Sequence, residues 1–262
     1  MLSSAAGLME IRAQAERDSG IGLKLFGLIA ESVFTFIPEC CSASSRNSVR
    51  NHPGIAFTFL RIPHKTVRLC CPALLTAQTF ARLAAPTRKV LINFMRGGGH
   101  YEWKQGIDPL AWERTMHEVI AQLQAQDWEP LMIAHNQKEM EIARQLWPDL
   151  PRTCPAGPPE YFETARDAAF GIFNRMHASV SLAGLGIPSV AVGTDSRNLM
   201  VENVGLPVLF VKEATTSRIL TAIADLLRHR EKESRRLLDL RETTLREYEG
   251  CLRPFFDRLR LA

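Results

Sequence analysis

Two side chains suited to chemistry stand close together in the segment FNRMHASVSLAGLG, where Arg175 and His177 follow a short apolar run and precede a stretch of small residues typical of a helix. An arginine at such a point can hold a carboxylate or phosphate with two hydrogen bonds, and the N–H groups of a helix N-terminus strengthen the attraction. A histidine beside it can move a proton near neutral pH. The pattern therefore predicts a site for an anionic ligand.

The same two residues have a plainer interpretation, in which His177 caps or packs the helix and Arg175 forms a structural salt bridge. For an isolated Arg-x-His triplet this plainer interpretation is the better one. The elements around the triplet therefore decide how it is interpreted.

Strands and helices alternate after Pro86. Short apolar runs suited to buried strands are KVLINFM, residues 130–134, AAFGIF, SVAVG and PVLFV. Helical spacing covers residues 109–126, a helix capped by Asn136, the small-residue stretch ending near Gly184 and Gly186, and a stripe from Thr216 that continues as a charged helix to about Tyr248. This alternation predicts a parallel, doubly wound α/β domain, and open sheets of that kind bind ligands where strands lead into helices.

Composition sets limits on the class of protein. A chain of 262 residues, 46% hydrophobic and 23% charged, can bury a large core. Its 32 basic and 28 acidic residues form no block of like charge, so we expect no nucleic-acid partner. Five of the seven histidines, His52, His64, His117, His135 and His229, lack ligand-like mutual spacing, which argues against a metal site.

The six cysteines occur as two adjacent pairs and two single residues, a pattern of neither zinc sites nor disulfide frameworks. We expect reduced thiols in a cytoplasmic protein. The most apolar stretch, residues 21–37, carries Lys24 and Glu31 and is too short and too charged for a confident membrane span.

The block around the triplet resembles the polysaccharide pyruvyl transferase family, whose C-terminal domain has a strand, Arg-x-His, a small-residue helix, Gly-x-Pro, an apolar strand and a polar loop. In this chain the elements after the strand are Arg175-Met176-His177, residues 178–185, Gly186-Ile187-Pro188, residues 189–192 and residues 194–197. The resemblance extends from about Arg88 to Phe255. It implies a Rossmann-like C-terminal domain over residues 86–262, within a GT-B-like architecture.

The family resemblance implies a reaction in which phosphoenolpyruvate is protonated at its methylene carbon, two sugar hydroxyls add at C2 in turn, and phosphate departs to leave a cyclic pyruvate ketal. Arg175 would bind the donor and His177 would transfer protons. No cofactor is implied. The acceptor would be a sugar or a lipid-linked oligosaccharide of cell-surface polysaccharide synthesis, with peripheral membrane association through that acceptor.

Residues 1–85 resemble only part of the family's N-terminal domain, since nothing in residues 1–36 matches its opening strand and glycine turn. The chain would then be a fragment, a product of an alternative start or a degenerate member. Arg50 is the counterpart of an anion-binding arginine, although Asn51 follows it where the family has an acidic residue. Its plainer interpretation is an arginine in a solvated loop.

Three further residues are candidates for substrate binding. His100, in the glycine loop with Tyr101, could bind a sugar ring, and Asp195 and Arg197 could contact donor or acceptor. Solvated or ordered surface loops would explain all three equally well. Two other functions stay open: a glycosyltransferase that uses a nucleotide sugar, and an inactive binding protein.

Overall fold

Six parallel strands form the centre of the computed structural model, which describes residues 69–80, 87–96, 108–193 and 196–260. All of these residues belong to one compact unit, Arg68–Ala262. The strands lie in the order β3-β2-β1-β4-β5-β6, and every neighbouring pair is parallel. They are β1 (Lys89–Asn93), β2 (Glu129–Ile133), β3 (Arg152–Thr153), β4 (Phe170–Phe173), β5 (Ser189–Gly193) and β6 (Val208–Phe210). The prediction of a parallel, doubly wound α/β fold is confirmed.

Seven α-helices connect or follow the strands in the described ranges. They are α1 (Pro109–Ala125), α2 (Gln137–Leu146), α3 (Pro158–Ala165), α4 (Met176–Gly184), α5 (Leu199–Asn203), α6 (Thr216–Arg228) and α7 (Arg230–Arg260). Apolar residues of α1, α2 and α6 pack in one cluster on one face of the sheet. Residues of α3, α4, α5 and α7 pack on the other face. The unit therefore has three layers.

Strand β1 illustrates why the apolar runs were recognisable as strands. Val90 and Ile92 point into the cluster with α1 and α6, whereas Leu91 points into the cluster with α3 and α4, and all three are fully buried. A strand covered on both faces needs apolar residues at consecutive positions and not only at alternate ones. The run KVLINFM meets that requirement.

Helix ends also follow the sequence signals. Asn136 caps α2, because its side-chain oxygen accepts a hydrogen bond from the Glu139 N–H. After α4, Gly186 has a φ of 71°, a left-handed conformation that favours glycine, and its N–H donates to the Ala183 carbonyl. Both caps were predicted from these residues.

Three elements, β3, α3 and the five-residue helix α5, were not predicted, and one helix is longer than expected. Strand β3 has only two residues and lies at the sheet edge, so it leaves no periodic pattern. Helix α3 begins inside a stretch rich in Pro and Gly, where Pro158 takes the first helical position. Helix α7 runs to Arg260, beyond the end predicted near Tyr248.

A segment before the sheet packs against α4 through a glycine. The 3-10 turns Pro72–Leu74 and Thr76–Thr79 lie on α4, and a Cβ on Gly184 would stand 2.3 Å from the Leu74 carbonyl oxygen. Residues 69–80 thus pack on the same unit as the sheet. Residues 1–68 and 81–86 lie outside the described ranges, so the division into domains 1–85 and 86–262 stays a prediction.

Helix propensity alone would make Gly184→Ala stabilising, but the close approach of the Leu74 turn predicts that this substitution destabilises the protein. We expect Gly184→Ala to lower the free energy of unfolding by about 1–3 kcal/mol, since the new methyl must displace backbone of the Leu74 turn. Gly250, in α7, has nothing within 4 Å of an added Cβ. Gly250→Ala is therefore the matched control and should gain up to about 1 kcal/mol. Urea unfolding of both variants measures the difference, and equal effects would refute the close-packing argument.

Candidate functional site

The order of the strands creates one point where the chain changes direction across the sheet. From β1 the chain proceeds to β2 and β3 on one side, and from β4 it proceeds to β5 and β6 on the other. The connections that leave the carboxyl ends of the adjacent strands β1 and β4 therefore run in opposite directions along the sheet. Such a switch point is where open α/β sheets bind ligands.

A pocket of about 50 Å³ lies at this point. Its lining comes from the residues that follow β1, β4 and β5: Met95, Asn174, Arg175, Met176, His177, Arg197 and Asn198. A single water needs about 10–15 Å³ measured in this way, so the pocket holds a few water-sized groups. It suits a phosphate or one edge of a sugar, and it is too small for a whole nucleotide.

Helix α4 directs its N-terminus towards this pocket. Arg175 occupies the N-cap position and its side chain makes no capping hydrogen bond. His177, the second helical residue, is exposed. The N-terminus of a nine-residue helix carries a partial positive charge, and its first N–H groups have no partner within the helix. The arrangement can bind an anion.

Asn174 fixes where that helix begins. Its side-chain oxygen accepts a hydrogen bond from the Met95 N–H at 2.8 Å, and its Nδ2 donates to the Val192 carbonyl at 2.8 Å. The residue is buried and lies directly after β4. One carboxamide thus ties together the ends of β1, β4 and β5, and it orients the two residues that follow it.

The carboxylate of Glu139, in the first turn of α2, is the centre of a second network. Its Oε1 accepts from Nε of Arg175 at 2.9 Å and also from Nη2 of the same guanidinium. Its Oε2 accepts from Asn93 Nδ2 at 2.8 Å and from the His135 N–H at 2.9 Å. The Glu139 side chain is 6% exposed and that of Arg175 is 35% exposed. Within this ion pair the carboxylate is therefore buried, whereas the guanidinium is partly accessible to a ligand.

This environment changes the acidity of Glu139. Burial raises its pKa, but the hydrogen bonds from the His135 side chain and N–H, followed by the hydrogen bond and charge of Arg175, outweigh burial and lower the pKa to about 2. Glu139 is therefore ionised at neutral pH, and it compensates the charge of Arg175.

The structure places the predicted site residues in two groups. Arg175, His177 and Arg197 come together at the pocket. Arg50, His100 and Asp195 lie outside the described residues. For Arg175 the structural salt bridge is present, so that part of the plainer interpretation is correct. The roles of Arg175 and His177 towards a ligand stay predictions.

Sequence reasoning did not identify Glu139, Asn93 or Asn174. The spacing Asn136-x-x-Glu139 is a capping-box signal, and Asn136 Nδ2 does donate to Glu139 Oε1 at 3.1 Å. Nothing local indicates the pairing with Arg175, which stands 36 positions further along the chain. A polar residue at the end of a buried strand, or directly after it, was the available signal for Asn93 and Asn174.

Within the described ranges, no group of three metal-ligating side chains is placed to hold a metal ion. In the same part of the chain, no helix is long and apolar enough to cross a membrane. The four cysteines described are free thiols, and Cys40 and Cys41 lie outside that part.

The fold and the site define the described unit as a Rossmann-like α/β domain with a pocket at its switch point. No family model matches the chain, and no curated protein matches it. Solved structures with a similar fold include "the Glycotransferase of kitacinnamycin", with 17% identity over 75% of this chain and 47% of that chain and a TM-score of 0.46.

Two others are accessory secretory protein 1,2 and 3 in Streptococcus pneumoniae, and UDP-GlcNAc 2-epimerase from Neisseria meningitidis bound to UDP-GlcNAc. The first shares 16% identity over 70% of this chain and 37% of that chain, with a TM-score of 0.43. The second shares 13% identity over 66% and 47%, with a TM-score of 0.40. The chain thus spans less than half the length of each of these three proteins.

The lowered pKa of Glu139 predicts a pH-dependent contribution to stability. A carboxyl whose pKa falls on folding stabilises the fold above its ordinary pKa of 4.5, and this stabilisation is lost as the pH falls from there towards 2. At pH 7 we expect Glu139→Gln to lower the free energy of unfolding by about 3 kcal/mol. The gap from the unmodified protein should shrink below pH 4.5, because a protonated Glu139 resembles Gln.

Urea unfolding at a series of pH values from 7 to 3 measures this gap. Glu141→Gln is the matched control, because Glu141 lies on the same helix with its side chain 51% exposed and paired with Arg144. An exposed pair contributes at most about 1 kcal/mol, so the control should change little. A gap for Glu139→Gln that stays constant down to pH 3 would contradict the assignment.

Proposed function

We propose that the described unit binds the phosphate-bearing donor of a transferase that modifies sugars, with the donor phosphate at the N-terminus of α4. One observation carries the proposal: the uncapped N-terminus of a nine-residue helix lies at the switch point of the sheet, beside Arg175, His177 and Arg197. Helix N-termini at such points are recurrent phosphate sites. The pocket volume of about 50 Å³ fits one phosphate.

The charge of Arg175 is compensated by Glu139, so the main contribution of Arg175 to this site is hydrogen-bond donors held in a fixed position. Glu139 engages one edge of the guanidinium, through Nε and Nη2. A guanidinium has five N–H donors, so Glu139 leaves others for a ligand. The pair holds Arg175 in place, and the helix N-terminus supplies the larger part of the attraction for an anion.

Two donors fit this proposal. A nucleotide sugar is supported by the strand order, which matches that of dinucleotide-binding α/β folds, and one phosphate of its diphosphate would occupy the pocket. The reaction would then be glycosyl transfer in a GT-B-like protein. Phosphoenolpyruvate is supported by the resemblance of the Arg175-x-His177 block to polysaccharide pyruvyl transferases. It is small enough to place its phosphate in the pocket and its carboxylate at the rim. The acceptor in both cases is a sugar, free or lipid-linked.

Calorimetric titration of the full chain with phosphoenolpyruvate, UDP, UDP-glucose and inorganic phosphate tests the proposal and chooses the donor. We expect one donor class to bind at least tenfold more tightly than inorganic phosphate. Binding of none of these at millimolar concentration would refute the proposal.

Arg175 is best tested together with its partner. Replacing it alone would leave the Glu139 carboxylate buried without its cation, a change that destabilises proteins strongly. The double variant Arg175→Met with Glu139→Gln removes both charges. We expect it to bind the preferred donor about ten- to a hundredfold more weakly, since a charge-assisted hydrogen bond contributes about 1.5–3 kcal/mol.

The control for this double variant is Arg144→Ala, which removes an exposed arginine of α2 whose partner is Glu141. It should keep full affinity. An unchanged affinity in the double variant, measured at a pH and temperature where unfolding experiments show it folded, would remove Arg175 from the site.

His177 has a separate prediction, because an exposed imidazole at the helix start can exchange protons with a bound ligand. We expect His177→Ala to lower turnover by about a hundred- to ten-thousandfold and to alter the pH profile, with little change in donor affinity. The assay follows release of phosphate or UDP from the preferred donor in a mixture of sugar acceptors. Unchanged turnover and pH profile would support the helix-packing interpretation.

A further inference from the structure

Asn198 is a polar residue whose position is not explained by the fold. It is the last residue of the 3-10 turn Ser196–Asn198 and stands directly before α5, and its side chain makes no capping hydrogen bond. The residue lines the pocket at the switch point instead and is only 4% exposed. Its Oδ1 has no hydrogen-bond partner.

The end of β5 makes room for this side chain. A Cβ on Gly193 would stand 2.6 Å from Nδ2 of Asn198 and 2.9 Å from its Cγ. Any side chain at position 193 would therefore collide with the carboxamide. The carboxamide lies against the carboxyl end of the strand, at the same edge of the sheet as the N-terminus of α4.

A buried acceptor without a donor destabilises a protein, so it calls for a reason. The chemistry of the acceptor limits what could satisfy it. An ionised phosphate or carboxylate oxygen only accepts hydrogen bonds, so it could pair with Nδ2 of Asn198 but would leave Oδ1 unpaired. A hydroxyl both donates and accepts, and it can pair with a carboxamide in either orientation. Asn198 and the α4 N-terminus therefore suit two different groups of one ligand.

We propose that Asn198 is a specificity-determining residue that accepts a hydrogen bond from a ligand hydroxyl, so that the pocket selects a sugar phosphate over a phosphate ester without hydroxyls. This inference rests on the phosphate site proposed above and adds the second group that the ligand must carry. The pocket of about 50 Å³ takes a phosphate and an adjoining hydroxyl. Among the two donors, a nucleotide sugar offers such a hydroxyl and phosphoenolpyruvate does not.

The test compares three hexose 1-phosphates (glucose, galactose and mannose) with methyl phosphate, a monoester of matched charge, by calorimetry on the full chain. We expect at least one hexose 1-phosphate to bind about tenfold or more tightly than methyl phosphate, as expected when a hydrogen bond satisfies a buried group. Asn198→Ala should reduce this preference to about twofold or less.

Asn198→Leu guards against a loss caused by unfolding. Leucine has the same branched four-atom shape as asparagine, although it is larger, and it leaves no unpaired acceptor. Urea unfolding establishes that this variant is folded, and the preference for the hexose phosphate should then be lost. Asn203→Ala, an exposed asparagine of α5, is the control and should keep the preference.

The outcomes separate the two proposals. If methyl phosphate binds but no hexose 1-phosphate binds more tightly, or if folded Asn198 variants keep the preference, the inference about Asn198 is wrong and the phosphate site stands. If neither methyl phosphate nor any hexose 1-phosphate binds, the phosphate site fails and the inference fails with it.

Discussion

The carboxylate of Glu139 is buried, and a buried charge is tolerated only when donors surround it. Its donors come from the end of β1 through Asn93, from the turn after β2 through His135, and from the start of α4 through Arg175. Each donor belongs to a different segment at the carboxyl edge of the sheet. The geometry of that edge, and with it the direction of α4, depends on satisfying this one group.

This dependence has a consequence for ligand binding. Because Glu139 compensates the charge of Arg175, that guanidinium is not presented to a ligand as an unpaired charge. Attraction for an anion then rests on the uncapped N-terminus of α4, and Arg175 provides directed hydrogen bonds from a fixed position. A site of this kind favours ligands that match its geometry over ligands that merely carry more charge.

The sequence was sufficient for five of the six strands of the sheet. Strands buried on both faces are continuous apolar runs, and Arg175 and His177 were conspicuous because they directly follow one of them. The partner of Arg175 was not accessible in this way, because Glu139 is distant in the chain and its local pattern only indicates a helix cap. A two-residue edge strand such as β3 forms because it pairs with β2, and it is too short to show a periodic pattern in the sequence. Contacts between distant segments leave no spacing to detect.

Three buried carboxamides at the ends of β1, β4 and β5 show how scaffold and recognition differ. Asn174 is satisfied on both sides by backbone groups, so its role in the scaffold is complete. Asn93 donates to Glu139, although its own oxygen is unpaired, and it is not among the residues that line the pocket. Asn198 alone of these three both lines the pocket and keeps an unpaired oxygen. An unpaired atom by itself would not distinguish Asn198 from Asn93. Asn198 differs because it lines the pocket beside the N-terminus of α4, in space left open by Gly193, where a ligand can reach it.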